Sequence, residues 1–343
     1  MEGSMIAQIH IEGGPTLRCE SGSNLLRAAL CEGLGFPYEC NSGGCGNCQF
    51  ELLEGEMTDL WEAAPGLPPR ARAAGRRLGC QTQVVGDCRI RVRLKPEFVA
   101  VKAAALRTAR LIERKALTHD MAEYSFMREG AADFLPGQYA MLRLPGVTGD
   151  RAYSMSNLPN PEGRWSFIVK RTPNGHGSAV LAEGLREGDQ VGLDGPYGLA
   201  YLRPEAPRDL ICIGGGSGLS PLKSIITAAV RHPALATRRI HLFYGGRTPA
   251  DICTDQILDE DVALRERVEV VPAISDGLPS NAPWAGERGF IHEVLQRWLG
   301  AARDAREYEY YFCGPPPMTD AVQRLLMLER RVPATQLHFD RFL

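Results

Sequence analysis

Nowhere in the 343 residues is there an uninterrupted run of eighteen apolar side chains, which excludes a helix built to cross a bilayer. The opening residues Met1 to Met5 carry neither a basic stretch nor an apolar core, so no secretory leader is read there. The protein is expected in the cytoplasm, with Gly3-Ser4-Met5 legible as a tag remnant ahead of a native Met5. Net charge is nearly absent, at −2 from 39 Lys and Arg against 41 Asp and Glu. No extended basic surface carries interleaved aromatic residues, which argues against a nucleic-acid partner. Internal repeats and low-complexity tracts are missing too, which excludes a solenoid. What remains is an ordinary globular composition, 44% hydrophobic and 23% charged, in a chain long enough for two or three domains with their own cores.

The small net charge hides an asymmetry. Between Glu2 and Glu62 acidic residues far outnumber Arg18 and Arg27, whereas Arg70, Arg72, Arg76, Arg77, Arg89, Arg91, Arg93 and Lys95 make the next stretch basic. This reads as a solvated surface, or as an acidic module that steers towards a basic face on a partner while the basic stretch points the other way.

Ten cysteines in a reducing compartment need a use other than disulfides. Cys40, Cys45 and Cys48 fall in Cys-Asn-Ser-Gly-Gly-Cys-Gly-Asn-Cys, with Cys80 alone downstream. That is the spacing of a plant-type [2Fe-2S] cluster. Two irons bridged by sulfides take four thiolates. Gly43, Gly44 and Gly46 let the loop wrap so that backbone N–H groups face sulfur. A zinc site with four thiolates is the alternative, but it usually shows a second short Cys-x-x-Cys pair. Cys19, Cys31, Cys88, Cys212 and Cys253 read as small buried hydrophobes.

Alternation over residues 5–11 and the turn at Gly13-Gly14-Pro15 predict a hairpin. Ser23-Asn24 then caps a helix carrying Leu25, Leu26, Ala29 and Leu30. Strands at Gln49 to Leu53 and through Ile90, Val92 and Leu94 complete a first domain, 1–97, with Ala63 to Pro69 as an internal loop. Residues 98–206 show short strands at Gly137 to Leu142, Arg151 to Ser156, Trp165 to Arg171 and Gln190 to Leu193, with one helix at Ser178 to Arg186. This predicts a small antiparallel barrel. Residues 207–343 alternate strand and helix: Asp209 to Ile213, Pro221 to Arg231, Arg239 to Tyr244, Val268 to Ala273, His292 to Leu299, Tyr308 to Phe312 and Met318 to Arg330. That rhythm predicts βαβ units on a parallel sheet.

Gly214-Gly215-Gly216-Ser217-Gly218-Leu219-Ser220-Pro221 follows an apolar strand and opens a helix, so its backbone N–H groups suit a pyrophosphate. Cys313-Gly314-Pro315-Pro316-Pro317-Met318 ends another strand at the same carboxyl edge, its prolines read as a rigid loop. In the barrel, Arg151-Ala152-Tyr153-Ser154 puts a fork-shaped cation, a ring and a hydroxyl on one strand. Those groups can pair a diphosphate, stack on a planar ring and bond a ring nitrogen, which are the needs of a flavin. Gly175-His176-Gly177-Ser178 offers a second phosphate seat, His176 reads as an exposed loop residue, and no histidine is read as a metal ligand.

Together these segments resemble the reductase component of bacterial multicomponent oxygenases, the toluene monooxygenase reductase type in particular. Asp194 to Gly198, Phe243 to Arg247 and the terminal His338 to Leu343 add to the likeness, which spans essentially the whole chain. The resemblance implies a β-grasp plant-type ferredoxin, an antiparallel Greek-key FAD barrel and a parallel-sheet α/β NAD domain. By it, Arg151 would hold the FAD pyrophosphate, Tyr153 stack on the isoalloxazine and Ser154 bond near N5. Ala152, Val169, Lys170, Gly175, Gly177 and Ser178 would complete the flavin site, and Phe342 would cover the other flavin face. Gly215, Gly216, Ser217, Gly218, Pro221, Arg247, Gly314, Pro315 and Met318 would hold NADH, with Cys313 near the nicotinamide and Ser154 and Cys313 as the residues of hydride transfer. No acidic residue directly follows the strand at Gly246-Arg247-Thr248 to grip a ribose hydroxyl, so NADPH stays open. Because a hydride carries two electrons and a [2Fe-2S] cluster takes one, the flavin would stand between NADH and the cluster. The acceptor would be the oxygenase hydroxylase component or a separate Rieske-type ferredoxin, met by transient docking from a monomer. A redox-sensing regulator that keeps FAD and cluster without turnover is the alternative.

Overall fold

The computed structural model describes residues 5–277 and 283–342; Met1 to Ser4 and Leu343 of the terminal motif lie outside them. In β1 (Ile6–Ile11) Ala7, Ile9 and Ile11 face inward, as the alternation predicts, and the strand pairs antiparallel with β2 (Thr16–Glu20). The Asn24 side chain accepts from the Arg27 N–H at 3.1 Å and starts α1 (Leu25–Cys31). Then come β3 (Gln49–Glu54), β4 (Met57–Asp59), α2 (Pro69–Ala73), β5 (Arg76–Leu78), β6 (Thr82–Val84) and β7 (Cys88–Arg91). Five of the strands form a mixed sheet in the order β2-β1-β7-β3-β5, with β1 and β7 parallel, and α1 lies over it in a β-grasp.

The acidic and basic stretches of this region do not face opposite ways. Arg77 pairs with Asp59 at 2.7 Å, Arg89 with Glu54 at 2.5 Å, and Arg91 with both Glu12 and Glu51. Neighbouring strands bring the two signs side by side, so the charge asymmetry largely cancels within one surface. Cys88, Cys212 and Cys253 are buried as expected, but Cys31 is exposed and Cys19 only half-buried. Cys19 sits at the periphery of the first core, where a small thiol tolerates partial wetting.

The barrel consists of β8 (Ala105–Ala116), β9 (Met121–Arg128), β10 (Tyr139–Arg143), β11 (Arg151–Ser154), β12 (Arg164–Lys170) and β13 (Gln190–Tyr197), with α3 (His176–Ala179) between the last two. The order is β11-β10-β13-β8-β9-β12, all antiparallel, and a bridge between Met155 and Phe167 joins the two ends into a closed wall. Trp165, Phe167, Phe126 and Phe134 fill the interior. The expected helix starts two residues early, at His176, and its second turn is π-type, ending at Gly184.

The third region runs β14 (Asp209–Gly215), α4 (Leu219–Arg231), β15 (Ile240–Gly246), α5 (Thr254–Leu258), α6 (Val262–Arg267), β16 (Val268–Ile274), β17 (Glu287–Arg288), α7 (Ile291–Leu299), β18 (Tyr308–Gly314), α8 (Pro316–Gln323) and β19 (Leu337–Arg341). Its six strands are all parallel in the order β17-β16-β15-β14-β18-β19. Side chains from α4, α5 and α6 form the core on one face and those from α7 and α8 the core on the other. The prolines of Cys313 to Met318 are not all loop: Pro316 and Pro317 form the first turn of α8, with Pro315 at its cap. A missing N–H costs nothing there, because first-turn N–H groups have no partner inside the helix.

Candidate functional site

The loop after α1 is shaped by backbone donors that converge on sulfur. The N–H groups of Ser42 and Cys45 reach Cys40 Sγ at 3.5 and 3.3 Å, and that of Asn47 reaches Cys45 Sγ at 3.4 Å. Cys48 and Cys80 bring their Sγ atoms to 3.3 Å, and none of the four thiols is in a disulfide. A hydrogen bond from the Cys45 thiol, followed by the backbone N–H groups, pushes Cys40 down to about 5. Cys80 likewise holds Cys48 below the ordinary thiol range. Each pair therefore favours one thiolate. The loop has no room for side chains at its crossing: a Cβ on Gly46 (φ +78°) would lie 2.5 Å from the Gly66 carbonyl oxygen, and one on Gly66 would lie 2.6 Å from Gly46 N. Four convergent sulfurs in a tight shell of N–H donors fit a [2Fe-2S] cluster. Sequence reasoning missed Gly66, whose place in a Pro- and Gly-rich loop gave no hint that it packs on Gly43, Gly44 and Gly46.

On the far side of Cys40 opens a cavity of about 580 Å³. One wall is β11, with Arg151, Ala152, Tyr153 and Ser154; β12 contributes Val169 and Lys170, and the start of α3 contributes Gly175, Gly177 and Ser178. Ser217 and Phe342 reach it from the third region, and Cys40 and Glu39 from the first. The cavity thus gathers residues from all three.

Arg151 Nη1 donates to the backbone carbonyls of Thr148 and Gly149 at 3.0 and 3.1 Å, and among the described residues it has no carboxylate partner. A fixed, unneutralised guanidinium suits a diphosphate. Gly177 is close-packed on it: a Cβ there would lie 3.1 Å from both Arg151 Cγ and the Tyr153 hydroxyl. Burial pushes the Tyr153 phenol up to about 12, so it stays neutral. Ser154 is 6% exposed, and its backbone carbonyl accepts from Ser220 Oγ at 2.7 Å. Ser178 Oγ accepts from the Thr172 N–H at 3.1 Å. Lys170 is already engaged, with Asp120 at 3.1 Å and Asp251 at 3.5 Å.

The remaining predicted residues lie at the carboxyl edge of the parallel sheet, beside the cavity. Gly214 stands opposite Cys313 in register, and a Cβ on Gly218 would fall 2.0 Å from the Cys313 carbonyl oxygen. Gly215 would meet Met318 Sδ at 3.1 Å, and Gly314 (φ +148°) would meet Met318 Cε at 2.9 Å. The two turns therefore interlock with their backbones bare, while Gly216 (φ +55°) bends the first towards Lys170. Pro221 is buried in the first turn of α4, Pro315 is exposed, and neither reaches the cavity. Cys313 is 1% exposed and does not line the cavity; burial pushes its thiol well up, so it remains protonated. Arg247 is exposed, 3.9 Å from Asp251, whose other oxygen caps the Thr248 N–H at 2.9 Å. Tyr139, read only as part of a strand, and Asp340 and Arg341, read only as part of the terminal motif, also line the cavity, although no local pattern assigns any of them a role.

Three family models match in order along the chain: a 2Fe-2S iron-sulfur cluster binding domain over residues 9–85, an oxidoreductase FAD-binding domain over 108–201 and an oxidoreductase NAD-binding domain over 212–324. The ferredoxin--NAD(P)(+) reductase CarAd of Metapseudomonas resinovorans is 44% identical over 98% of this chain and 99% of its own length. The chain belongs to the reductase family of multicomponent oxygenases. A second relative of the reductase, the xylene/toluene monooxygenase electron transfer component XylA of Pseudomonas putida, is 34% identical over 94% of this chain and 89% of its own. The solved ferredoxin reductase in carbazole 1,9a-dioxygenase superposes with a TM-score of 0.90 at 39% identity, covering 100% of both chains. The Amycolatopsis cytochrome P450 reductase GcoB superposes at 0.79 with 29% identity, covering 98% of each. The reductase is an oxidoreductase with 2Fe-2S, FAD-binding and NAD-binding domains, and these relatives lend no support to the regulatory alternative. No helix among its described residues is long and apolar enough to cross a membrane.

Proposed function

We propose that this reductase takes electrons from NADH and delivers them singly, through the site lined by Cys40, to an oxygenase hydroxylase component or to a separate Rieske-type ferredoxin. It works as a monomer that docks transiently. The observation that carries the reading is the shared cavity: Cys40 lines the same space as Arg151, Tyr153, Ser154 and Phe342. When bound, FAD would accept a hydride and release its electrons one at a time to a [2Fe-2S] cluster. Arg151, with the start of α3 at Gly175, Gly177 and Ser178, binds the diphosphate. Tyr153 and Phe342 bound the ring, Ala152 and Val169 give it an apolar wall, and Ser154 presents a hydroxyl to its reacting edge. Lys170, compensated by Asp120 and Asp251, closes the side towards Gly216. The interlocked turns, Gly215 to Gly218 with Gly314, Pro315 and Met318, bind the pyridine nucleotide, Pro221 anchors the first of them in α4, and Arg247 meets the ribose end. NADPH remains a second donor because Asp251 is occupied as a cap. Neutral Cys313 packs beneath the nicotinamide and excludes water. Cys40, Cys45, Cys48 and Cys80 would hold the two irons as thiolates. Three units, 1–97, 98–206 and 207–343, divide these tasks, a division supported by family matches that fall inside each.

Arg151→Ala tests the reading. Losing one charge-assisted contact of about 1.5–3 kcal/mol should lower FAD affinity by about tenfold or more. Full flavin content in the purified variant would count against the assignment.

A further inference from the structure

Arg341 is the last residue of β19, and its guanidinium is divided between two regions of the molecule. Nε donates to Asp320 of α8 at 3.1 Å and Nη2 to Gln323 of the same helix at 2.8 Å. Nη1 crosses to the first region and lies 3.3 and 3.4 Å from the two carboxylate oxygens of Glu39, the neighbour of Cys40. The partners are 302 positions apart in the chain, and the side chains are only 24% and 15% exposed. Glu39 is gripped twice more: its backbone carbonyl accepts from the Tyr139 hydroxyl of the barrel at 2.7 Å, and its carboxylate accepts from Asn47 Nδ2 at 2.6 Å. The residue beside Cys40 is thus tied to its own loop, to the barrel and to the helix that follows Cys313-Gly314.

We propose that Arg341 is a positioning residue that keys the Cys40 end of the sulfur-bearing loop to α8 and holds Cys40 at the cavity wall. Among the described residues the first region contributes only Glu39, Cys40 and Ser42 to that wall, so its approach there depends on few residues. Tyr139 fixes the height of the backbone, but its single hydrogen bond leaves a rotation about the Glu39 carbonyl. The ion pair with Arg341 removes that rotation, and Arg341 itself is held because β19 is hydrogen-bonded into the sheet beside β18, with Phe342 N–H on the Gly314 carbonyl at 3.0 Å. A longer path between Cys40 and the opposite wall of the cavity slows the transfer of an electron to the cluster.

The proposal rests on the flavin and cluster reading given above, and its test separates the two. Holoenzyme carrying Arg341→Gln, Arg341→Lys, Glu39→Gln or the pair Glu39→Gln/Arg341→Gln is mixed with NADH in a stopped-flow instrument, and flavin bleaching and cluster reduction are followed separately. The expected result for Arg341→Gln is a severalfold fall in cluster reduction relative to bleaching. Arg341→Lys keeps the charge facing Glu39 but not the fork that also reaches α8, so it should recover part of it, and the double variant should be no slower than either single change, because both remove the same contact. Amide exchange over residues 39–47, measured without any nucleotide, should quicken in Arg341→Gln and Glu39→Gln and less in Arg341→Lys. The proposal is overturned if the two kinetic phases slow together, if Lys is no better than Gln, or if exchange in the loop is unchanged. If the wild-type protein fails to bleach at all, the functional reading falls instead, and the exchange result still judges Arg341.

Discussion

The two junctions of the molecule are made differently. Between the barrel and the parallel-sheet region, Lys223 of α4 is buried with Glu123 at 2.9 Å and Glu260 at 2.7 Å, and Ser156 Oγ donates to Glu123 at 2.5 Å. Around them Ser220 and Ser224 donate to the backbone carbonyls of Ser154 and Asn157, both at 2.7 Å, and Tyr311 Oη accepts from the Arg203 N–H at 2.9 Å. Between the first region and the barrel the contact is an apolar face edged by a few polar ties. Arg27 pairs with Asp194 at 2.9 Å, Tyr197 donates to Asp194 at 2.8 Å, and Tyr38 Oη accepts from the Gly198 N–H at 3.1 Å. Asp194 Oδ1 is buried without a hydrogen-bond partner among the described residues. The first junction described is stitched by buried polar bonds from several elements, whereas the second is an apolar face with fewer polar ties.

Lys223→Ala should have the largest effect, because it strands buried Glu123 without its cation, while Glu260 keeps Lys115 at 2.6 Å. A loss of about 3–5 kcal/mol is expected in urea unfolding followed by circular dichroism. Arg27→Ala should cost less, about 1–3 kcal/mol, since Arg27 is a quarter exposed and Asp194 keeps its bond from Tyr197. Equal losses from the two variants would erase the distinction between the junctions.

A third effect should show in the pH dependence of stability. Burial, with Glu39 and Cys40 adding to it, pushes the Asp340 carboxyl from 3.8 up to about 7. Across that window the folded chain keeps a proton that the unfolded chain has released, so stability falls as pH rises, and the loss is complete above the folded value. Asp340→Asn should flatten this decline. Urea midpoints of wild type and variant at about pH 5 and about pH 8 check it, and a constant difference between them would dismiss the carboxyl as its source.

Much of the site was legible because its chemistry demands particular residue types close together in the chain. The cysteine loop, Arg151 to Ser154, the Gly214 to Gly218 turn and Cys313 to Met318 each carry such a demand. The rest was hidden for a physical reason. Glu39, Tyr139 and Arg341 are ordinary residues whose roles arise from pairings up to 302 positions apart, and no local pattern encodes a tertiary contact. Two barrel strands, β8 and β9, escaped notice as well. In β8, Leu-Arg-Thr-Ala-Arg-Leu-Ile-Glu-Arg-Lys shows no clean alternation, because only Ala109 and Leu111 are buried. In β9 six successive residues are buried, which blurs a period of two. The short helices α5 and α6 and the edge strand β17 gave signals too brief to separate from loop. The strand β19 lay in a segment noticed only for its terminal motif.

The core of the first region also takes in Tyr139, Met141 and Tyr197 from the barrel. The seam between the cores is therefore offset from the seam along the chain. A recombination event that moved the iron-binding unit into another protein would leave three bulky side chains behind, and the new host would have to supply their shapes afresh. Modular reuse of this unit is limited less by its cysteines than by the neighbour it leans on.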